Sequence, residues 1–360
     1  MLNLFYIFLA ILLFGILITV HELGHFFAAR LVGIPVKEFA IGFGPALVKW
    51  KSKKRDTMFY LRAIPLGGYC MFYQEDKLDE DCPEDERAFD RYHVWKRFFT
   101  VVAGPLMNIL LAFLVALIIF SVMGVTKQTG PSKTVVHSVN EASPAEVAGL
   151  LKGDTILSLN GSAVTDNLPN LIEQEMKETQ LPLSLEISRL INGKSRTLTL
   201  AVTPLYSNEE SRYMMGVTLS IIPQLETFHL PFGQTMVESA RFCYQLSGEL
   251  TKAFVKLFTR GEGINELTGF VGITELIVEE TKQTKLLGYA SMLMMFSINL
   301  GVLNLIPFPG LDGSRLMFII IEAVRKKPVK KEAYFHLAGM VLLFGLMIYI
   351  TFKDIFKLFR

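Results

Sequence analysis

The sequence predicts an α-helical polytopic membrane protein. It has about four transmembrane helices, a membrane-associated β-hairpin region and one small extracytoplasmic α+β domain. Three observations carry that class. The 360 residues are 51% hydrophobic, with a mean hydropathy of +0.38, more apolar than an ordinary soluble domain. Four stretches reach the roughly 20 apolar residues that a spanning helix needs: about Leu2 to Val32, Phe98 to Met123, Leu286 to Ile306 and Phe335 to Phe352. Between the second and third lies a long polar interval in which apolar residues alternate instead of running on.

The first stretch is not read as a secretory signal. It has no basic n-region and no small-residue cleavage site, and it is too long. Lys and Arg near the spans set the orientation. Arg30, Lys49, Lys51, Lys53, Lys54, Arg55, Lys96 and Arg97 lie between spans one and two, and Arg325, Lys326, Lys327, Lys330 and Lys331 between spans three and four. Both groups belong on the cytoplasmic side. The N-terminus, residues 124–285 and the C-terminus then face outward, although Lys353, Lys357 and Arg360 pull the other way. A net charge of +2 leaves no electrostatic footprint for nucleic acid. Cys70, Cys82 and Cys243 are far apart and match neither a zinc spacing nor a disulfide framework. They read as free thiols.

The elements follow in order. Residues 1–33 hold the first span. In 34–97, glycines and prolines punctuate β-type runs such as DTMFYLRAI, which predicts a hairpin or small sheet against the membrane, followed by the acidic, solvated loop EDKLDEDCPEDERAFD. The second span is 98–123. Residues 124–222 hold the small domain, with strand alternation in TVVHSV and LTLAVT and a short helix in SPAEVAGL, capped by Ser143 with Pro144 at its first position. In 223–285, Phe232, Met236, Ala240, Cys243, Leu246, Leu250, Phe254 and Leu257 recur at helical spacing. Interspersed charges predict an amphipathic helix lying on the outer membrane interface. Residues 286–315 hold span three and a Leu-Asp-Gly motif, 316–333 a basic cytoplasmic loop, and 334–360 span four and the C-terminus.

The chemistry begins at HELGH, residues 21–25, inside the first span. His21 and His25 are four residues apart, so a helix puts both imidazoles on one face, able to reach a single ion. Zinc accepts imidazole nitrogen, and Glu22 beside it can take a proton from a zinc-activated water. Ionisable groups inside a membrane are costly and read as functional. A catalytic zinc usually takes a third protein ligand. His93, His137, His229 and His336 each stand alone and read as surface or interface residues. The sharper candidate is Asp312, in SINLGVLNLIPFPGLDGSRLMF. There Pro307 and Pro309 prevent a regular helix, and broken backbone at membrane depth is tolerated only in a protein-lined cavity.

Two resemblances sharpen this reading. The stretch AGLLKGDTILSLNG, through Gly153-Asp154, Ile156 and Asn160-Gly161, resembles the PDZ family, which implies a peptide ligand added at a sheet edge and a terminal-carboxylate loop near Met214-Met215-Gly216-Val217. The HELGH motif together with NLIPFPGLDG, residues 304–313, resembles the site-2 protease family of intramembrane zinc metalloproteases, and within it the bacterial sigma-E-regulating group. Gly42-Phe43-Gly44-Pro45, Pro65-Leu66-Gly67-Gly68-Tyr69 and Ala103-Gly104-Pro105-Leu106-Met107-Asn108 match the same group, so the likeness covers nearly the whole chain. It implies that His21, His25 and Asp312 bind Zn2+, that Glu22 is the general base, and that Asn304, Pro307 and Pro309 hold or unwind substrate. The substrates it implies are single-pass membrane proteins, such as anti-sigma factors or remnant signal peptides. The lipid bilayer and a PDZ ligand are the other partners, and a bacterial cytoplasmic (inner) membrane is the location, with the active site toward the cytoplasmic side. This chain has room for one PDZ module where many of the group carry two, and Ser314-Arg315 follows Asp-Gly where the group has a small residue and His. A non-catalytic PDZ-bearing scaffold and a zinc-sensing membrane protein are the alternatives.

Overall fold

The computed structural model describes residues 4–53, 56–74, 85–164, 168–178, 182–191, 193–208, 212–263, 269–327, 329 and 332–358. Most of the acidic stretch, Cys82, Lys54, Arg55, Lys330, Lys331 and Arg360 lie outside the described residues. In chain order the elements are α1 (Leu4–Val32), β1 (Val36–Lys51), β2 (Met58–Phe72), α2 (Val94–Met123), β3 (Val125–Val139), α3 (Pro144–Val147), β4 (Thr155–Leu159), β5 (Ser162–Ala163), α4 (Leu168–Glu178), β6 (Leu183–Ile191), β7 (Lys194–Val202), β8 (Leu205–Ser207), β9 (Arg212–Met214), β10 (Val217–Phe228), α5 (Phe232–Arg260), α6 (Phe270–Thr284), α7 (Leu286–Leu305), α8 (Asp312–Arg325) and α9 (Glu332–Leu358). Among the described residues, four helices are long and apolar enough to cross a membrane: α1, α2, α7 and residues Glu332–Asp354 of α9. The chain divides into two compact units, residues 1–123 with 230–360, and residues 124–229.

In the first unit, α2 is the central post. Lipid gives no hydrophobic drive for helices to associate, so they pack where small residues let backbones meet. A Cβ on Gly24 of α1 would run into the Ala103 carbonyl of α2, and one on Gly104 would run into the His25 ring. On the other side of α2, a Cβ on Gly301 of α7 would lie 2.9 Å from the Pro105 carbonyl oxygen. Ser297 of α7 donates to the Asn108 carbonyl at 2.7 Å.

The strands β1 and β2 are bent, and their register resolves them into four short segments. Residues 38–41 pair on one side with 58–61 and on the other with 68–71, while 46–51 pair with 58–62. Gly42 and Gly44, at φ +85° and +83°, make the bend in β1 that a side-chain-bearing residue resists. This sheet packs through Phe39, Phe59 and Phe72 against Phe26 of α1, Val101 of α2 and Leu316 and Ile319 of α8.

The helices after residue 230 differ from expectation. Residues 223–285 hold the end of β10 and two helices. The apolar stripe of α5, with Cys243, Phe242, Leu246 and Leu250, packs on Ala112 and Ala116 of α2 and on Met294, Ile298 and Val302 of α7. The periodicity was legible, but what covers the stripe is other helices. Next, α6 places Ile277 among Ala10, Leu13 and Leu17 of α1. Its N-terminus is capped from α9: Asp354 Oδ2 accepts from Gly269 N at 2.8 Å and from Gly272 N at 3.2 Å, a favourable place for a carboxylate at the positive end of a helix. The first part of the expected basic loop 316–333 is helix α8.

In the second unit, one sheet runs β10-β3-β4-β6-β7, with β5 on β4. The inward residues Val136, Ile156, Leu159, Leu183, Leu185 and Ile187 form its core with Ile172 and Met176 of α4. Ser143 caps α3 by accepting from Glu146 N at 3.3 Å, and Glu146 Oε2 reaches back to Ala142 N at 2.6 Å. Asp154, 1% exposed, is held by Arg189 through Nε and Nη2, both at 2.7 Å, and by Leu151 N at 2.8 Å.

Removing Arg189 strands that carboxylate. Arg189→Leu should destabilise this unit by about 1–3 kcal/mol, the usual cost of leaving a buried acceptor short of its partner. Hydrogen exchange over residues 124–229 in detergent-solubilised protein checks it.

Candidate active site

His21 and His25 project from one face of α1, with ring centroids 4.8 Å apart and Nε2 atoms 3.2 Å apart. The third group arrives from the break after α7. Ile306 precedes a proline and is extended, at φ −74° and ψ 137°, as residues before proline tend to be. The loop satisfies its own backbone, with Phe308 N to Ile306 O at 2.7 Å and Leu311 N to Phe308 O at 3.1 Å. Helix α8 then begins at Asp312. Gly313 carries no Cβ, which would run into the Ile306 carbonyl, so the start of α8 sits tight against the end of α7. A buried ion pair, Arg97 of α2 with Glu322 of α8, holds the rest of α8.

Asp312 Oδ2 lies 3.0 Å from His21 Nε2 and 3.2 Å from His25 Nε2. With the 3.2 Å between the two nitrogens, the three atoms form a nearly equilateral triangle. A tetrahedral zinc bonded at roughly 2.0–2.1 Å holds its ligands about 3.3 Å apart, so the triangle fits such an ion. Asp312 Oδ2 is also buried without a well-formed hydrogen bond, which an ion would remedy. Among the described residues these three are the one His/Cys/Asp/Glu group close enough to share a metal.

The two imidazoles are held from behind. His25 Nδ1 is 2.9 Å from the Thr100 carbonyl. A carbonyl only accepts, so Nδ1 carries the proton and Nε2 keeps its lone pair for a metal. His21 Nδ1 is 3.2 Å from the Asn108 side-chain amide. In front, a cleft is lined by the two histidines, Glu22, Asp312, residues 69–72 of β2, Gly310, Leu311, Arg315 and His336. The stem of Glu22 passes Gly68, where a Cβ would sit 3.6 Å from Glu22 Cγ. Tyr69 Oη accepts from Arg62 at 2.7 Å and donates to Glu38 at 3.0 Å. Burial pushes the Tyr69 phenol above its ordinary pKa.

The predicted residues divide by position. His21, Glu22, His25 and Asp312 meet at one cleft. Asn304, Pro307 and Pro309 do not line it. Asn304 is buried at the end of α7, Pro307 is exposed, and Pro309 packs under Gly339 of α9. His93, His137 and His229 are exposed. His336, expected at a surface or interface, is 4% exposed and reaches the cleft, with Nδ1 3.3 Å from Ser314 Oγ. Sequence reasoning gave Asn108 no role, although its place as a polar residue in an apolar span was a usable signal.

A polytopic membrane protein whose spans converge on a His-His-Asp triangle beside a glutamate is, by class, a membrane metalloprotease. The chain belongs to peptidase family M50, whose profile matches residues 9–346. It is 31% identical to a protein of Geobacillus kaustophilus named zinc metalloprotease RasP, over 97% of each chain. It is 27% identical to the regulator of sigma-W protease RasP of Bacillus subtilis, over 97% of this chain and 98% of that one. It is 28% identical to the zinc metalloprotease RasP of Oceanobacillus iheyensis, over the same shares.

Asp312→Asn should loosen zinc by more than the roughly 10- to 100-fold that changes behind the ligands cause. Elemental analysis of purified protein and chelator competition read this directly.

Proposed function

We propose that this chain is a site-2-type intramembrane zinc protease that hydrolyses peptide bonds in the transmembrane segments of single-pass membrane proteins. The observation that carries the reading is the triangle of His21, His25 and Asp312, with Glu22 lining the same cleft. Zinc held there supplies a Lewis acid for the scissile carbonyl and makes hydroxide available near neutral pH. Glu22 takes a proton from the attacking water and delivers it to the amine nitrogen as the C–N bond breaks.

A helical substrate hides its carbonyls in its own hydrogen bonds, and freeing them in lipid is costly. Residues 68–72 pair with β1 on one side only, and 69–72 face the cleft. An unwound substrate segment adds to this edge as a further strand, replacing the hydrogen bonds it loses. Asn304, Pro307 and Pro309 act on substrate through the loop they shape, whose Gly310 and Leu311 line the cleft. An apolar trough lined by Phe8, Leu12, Gly15 and Thr19, with Ile41 and Pro65, lies on the α1 face that carries Glu22, by the 4-3-4-3 spacing of a helix. It accommodates apolar side chains of the substrate's helical remainder.

The positive-inside count supports an orientation with residues 124–229 and both termini outside a bacterial cytoplasmic membrane. His21 to His25 lie toward the cytoplasmic end of α1, where water is nearer. Residues 124–229 act there as the single PDZ-like module, with β10 as a sheet edge and Gly216, at φ +77°, in the loop before it, open to a peptide. The named role of the Bacillus subtilis relative favours membrane-anchored regulators such as anti-sigma factors as substrates, with remnant signal peptides as a second class.

Glu22→Gln should lower cleavage of a purified single-span substrate by about 10²- to 10⁴-fold, the usual contribution of a general base, while zinc content and melting stay at wild-type values. Undiminished function would return the chain to the scaffold or zinc-sensor readings. Leu12→Trp, which fills the trough, should raise KM for the membrane substrate several-fold and leave turnover of a short soluble peptide unchanged. Paired assays on the two substrates decide it.

A further inference from the structure

We infer that Asn108 is the positioning residue for His21: with zinc bound, its side-chain carbonyl accepts the proton on His21 Nδ1. The inference rests on the reading of His21, His25 and Asp312 as a zinc site. Both histidines present Nε2 to Asp312, so both must hold a lone pair there and a proton on Nδ1 when a metal binds. A neutral imidazole has one of each. For His25 the backbone settles the matter, because the Thr100 carbonyl at 2.9 Å can only accept.

For His21 the group behind the ring is the Asn108 amide, 3.2 Å from Nδ1. As placed, Nδ2 faces the ring and would donate to it, which puts the His21 proton on Nε2, against the metal. The oxygen and nitrogen ends of an amide are interchangeable by rotation. Asn108 is fully buried, and its Oδ1 has no partner. The bond to His21 therefore decides which end of the amide faces the ring. Zinc on Nε2 requires Oδ1 to face the ring.

The rest of the structure serves this placement. Pro105 and Gly104 lie one turn before Asn108 on α2, at the contact of α2 with α1 and α7. Ser297 grips the Asn108 backbone carbonyl from α7, so the residue is pinned behind the His21 ring.

The test is zinc affinity of the full-length protein in detergent, by chelator competition, with Asn108→Leu, Asn108→Ala and Asn108→Asp. The expected ranking separates positioning from packing. Leu keeps the volume but accepts nothing, so zinc should dissociate about 10- to 100-fold more readily, the range for lost outer partners. Asp accepts as Oδ1 does and should hold zinc at least as well as wild type. Metal-free melting should run the other way, with Asp the least stable because its charge is buried. If Leu does not fold, Ala carries the same expectation.

Wild-type zinc affinity in the Leu or Ala variant would overturn the inference, as would equal losses in Leu and Asp. Should the wild type itself bind no zinc, the inference and the metal-site reading fail together. Normal wild-type binding with an indifferent position 108 defeats the inference alone.

Discussion

Everything in the membrane unit depends on how closely α1 and α2 cross. Two helices with ordinary side chains at their contact stand 8–10 Å apart. At Gly24 and Gly104 there is no side chain on either, and the His25 ring occupies the space that a Cβ on Gly104 would fill. That contact brings the Thr100 carbonyl within a hydrogen bond of His25 Nδ1. A side chain at Gly104 would run into the His25 ring, and one at Gly24 would push the Ala103 backbone of α2 away. The crossing therefore sets backbone packing and the placement of the His25 ring at once.

The second half of the centre is built by interruption. Pro307 and Pro309 end α7 and start α8 in a new direction, so that Asp312 occupies the first position of a helix instead of the middle of one. The cost of broken backbone is kept low by the loop's internal hydrogen bonds and by the cover of Gly339 over Pro309. Arg97 and Glu322 tie α8 to α2, the helix that also backs the histidines. His21, His25 and Asp312, from distant parts of the chain, thus share one post in α2.

How much of this could be read beforehand follows from what covalent spacing controls. His21 and His25 were legible as partners because four residues on a helix fix their common face whatever surrounds it. Asp312 was legible as a carboxylate in broken, apolar sequence. Asn108 stood out as a polar residue in an apolar span, but its partner was not legible, because nothing in residues 103–108 says which ring of a distant helix the amide will meet. His336 looked ordinary because its burial depends on how α9 lies against α8. The α5 stripe was correctly periodic, but lipid and a neighbouring helix are equally apolar, so periodicity could not say which one covers it.

The residue order alone determined the four spans, the paired imidazoles, the adjacent glutamate and the break that ends in Asp312, since each is a matter of local length, spacing or backbone chemistry. Only the folded chain decided that Asp312 closes a triangle with the histidines, that residues 68–72 form the edge beside the cleft, and that Thr100 and Asn108 stand behind the rings. Those are meetings between segments as far apart as 291 positions in sequence, from residue 21 to residue 312. Helix-crossing distances and side-chain volumes in three dimensions set them, and local sequence pattern does not encode those quantities.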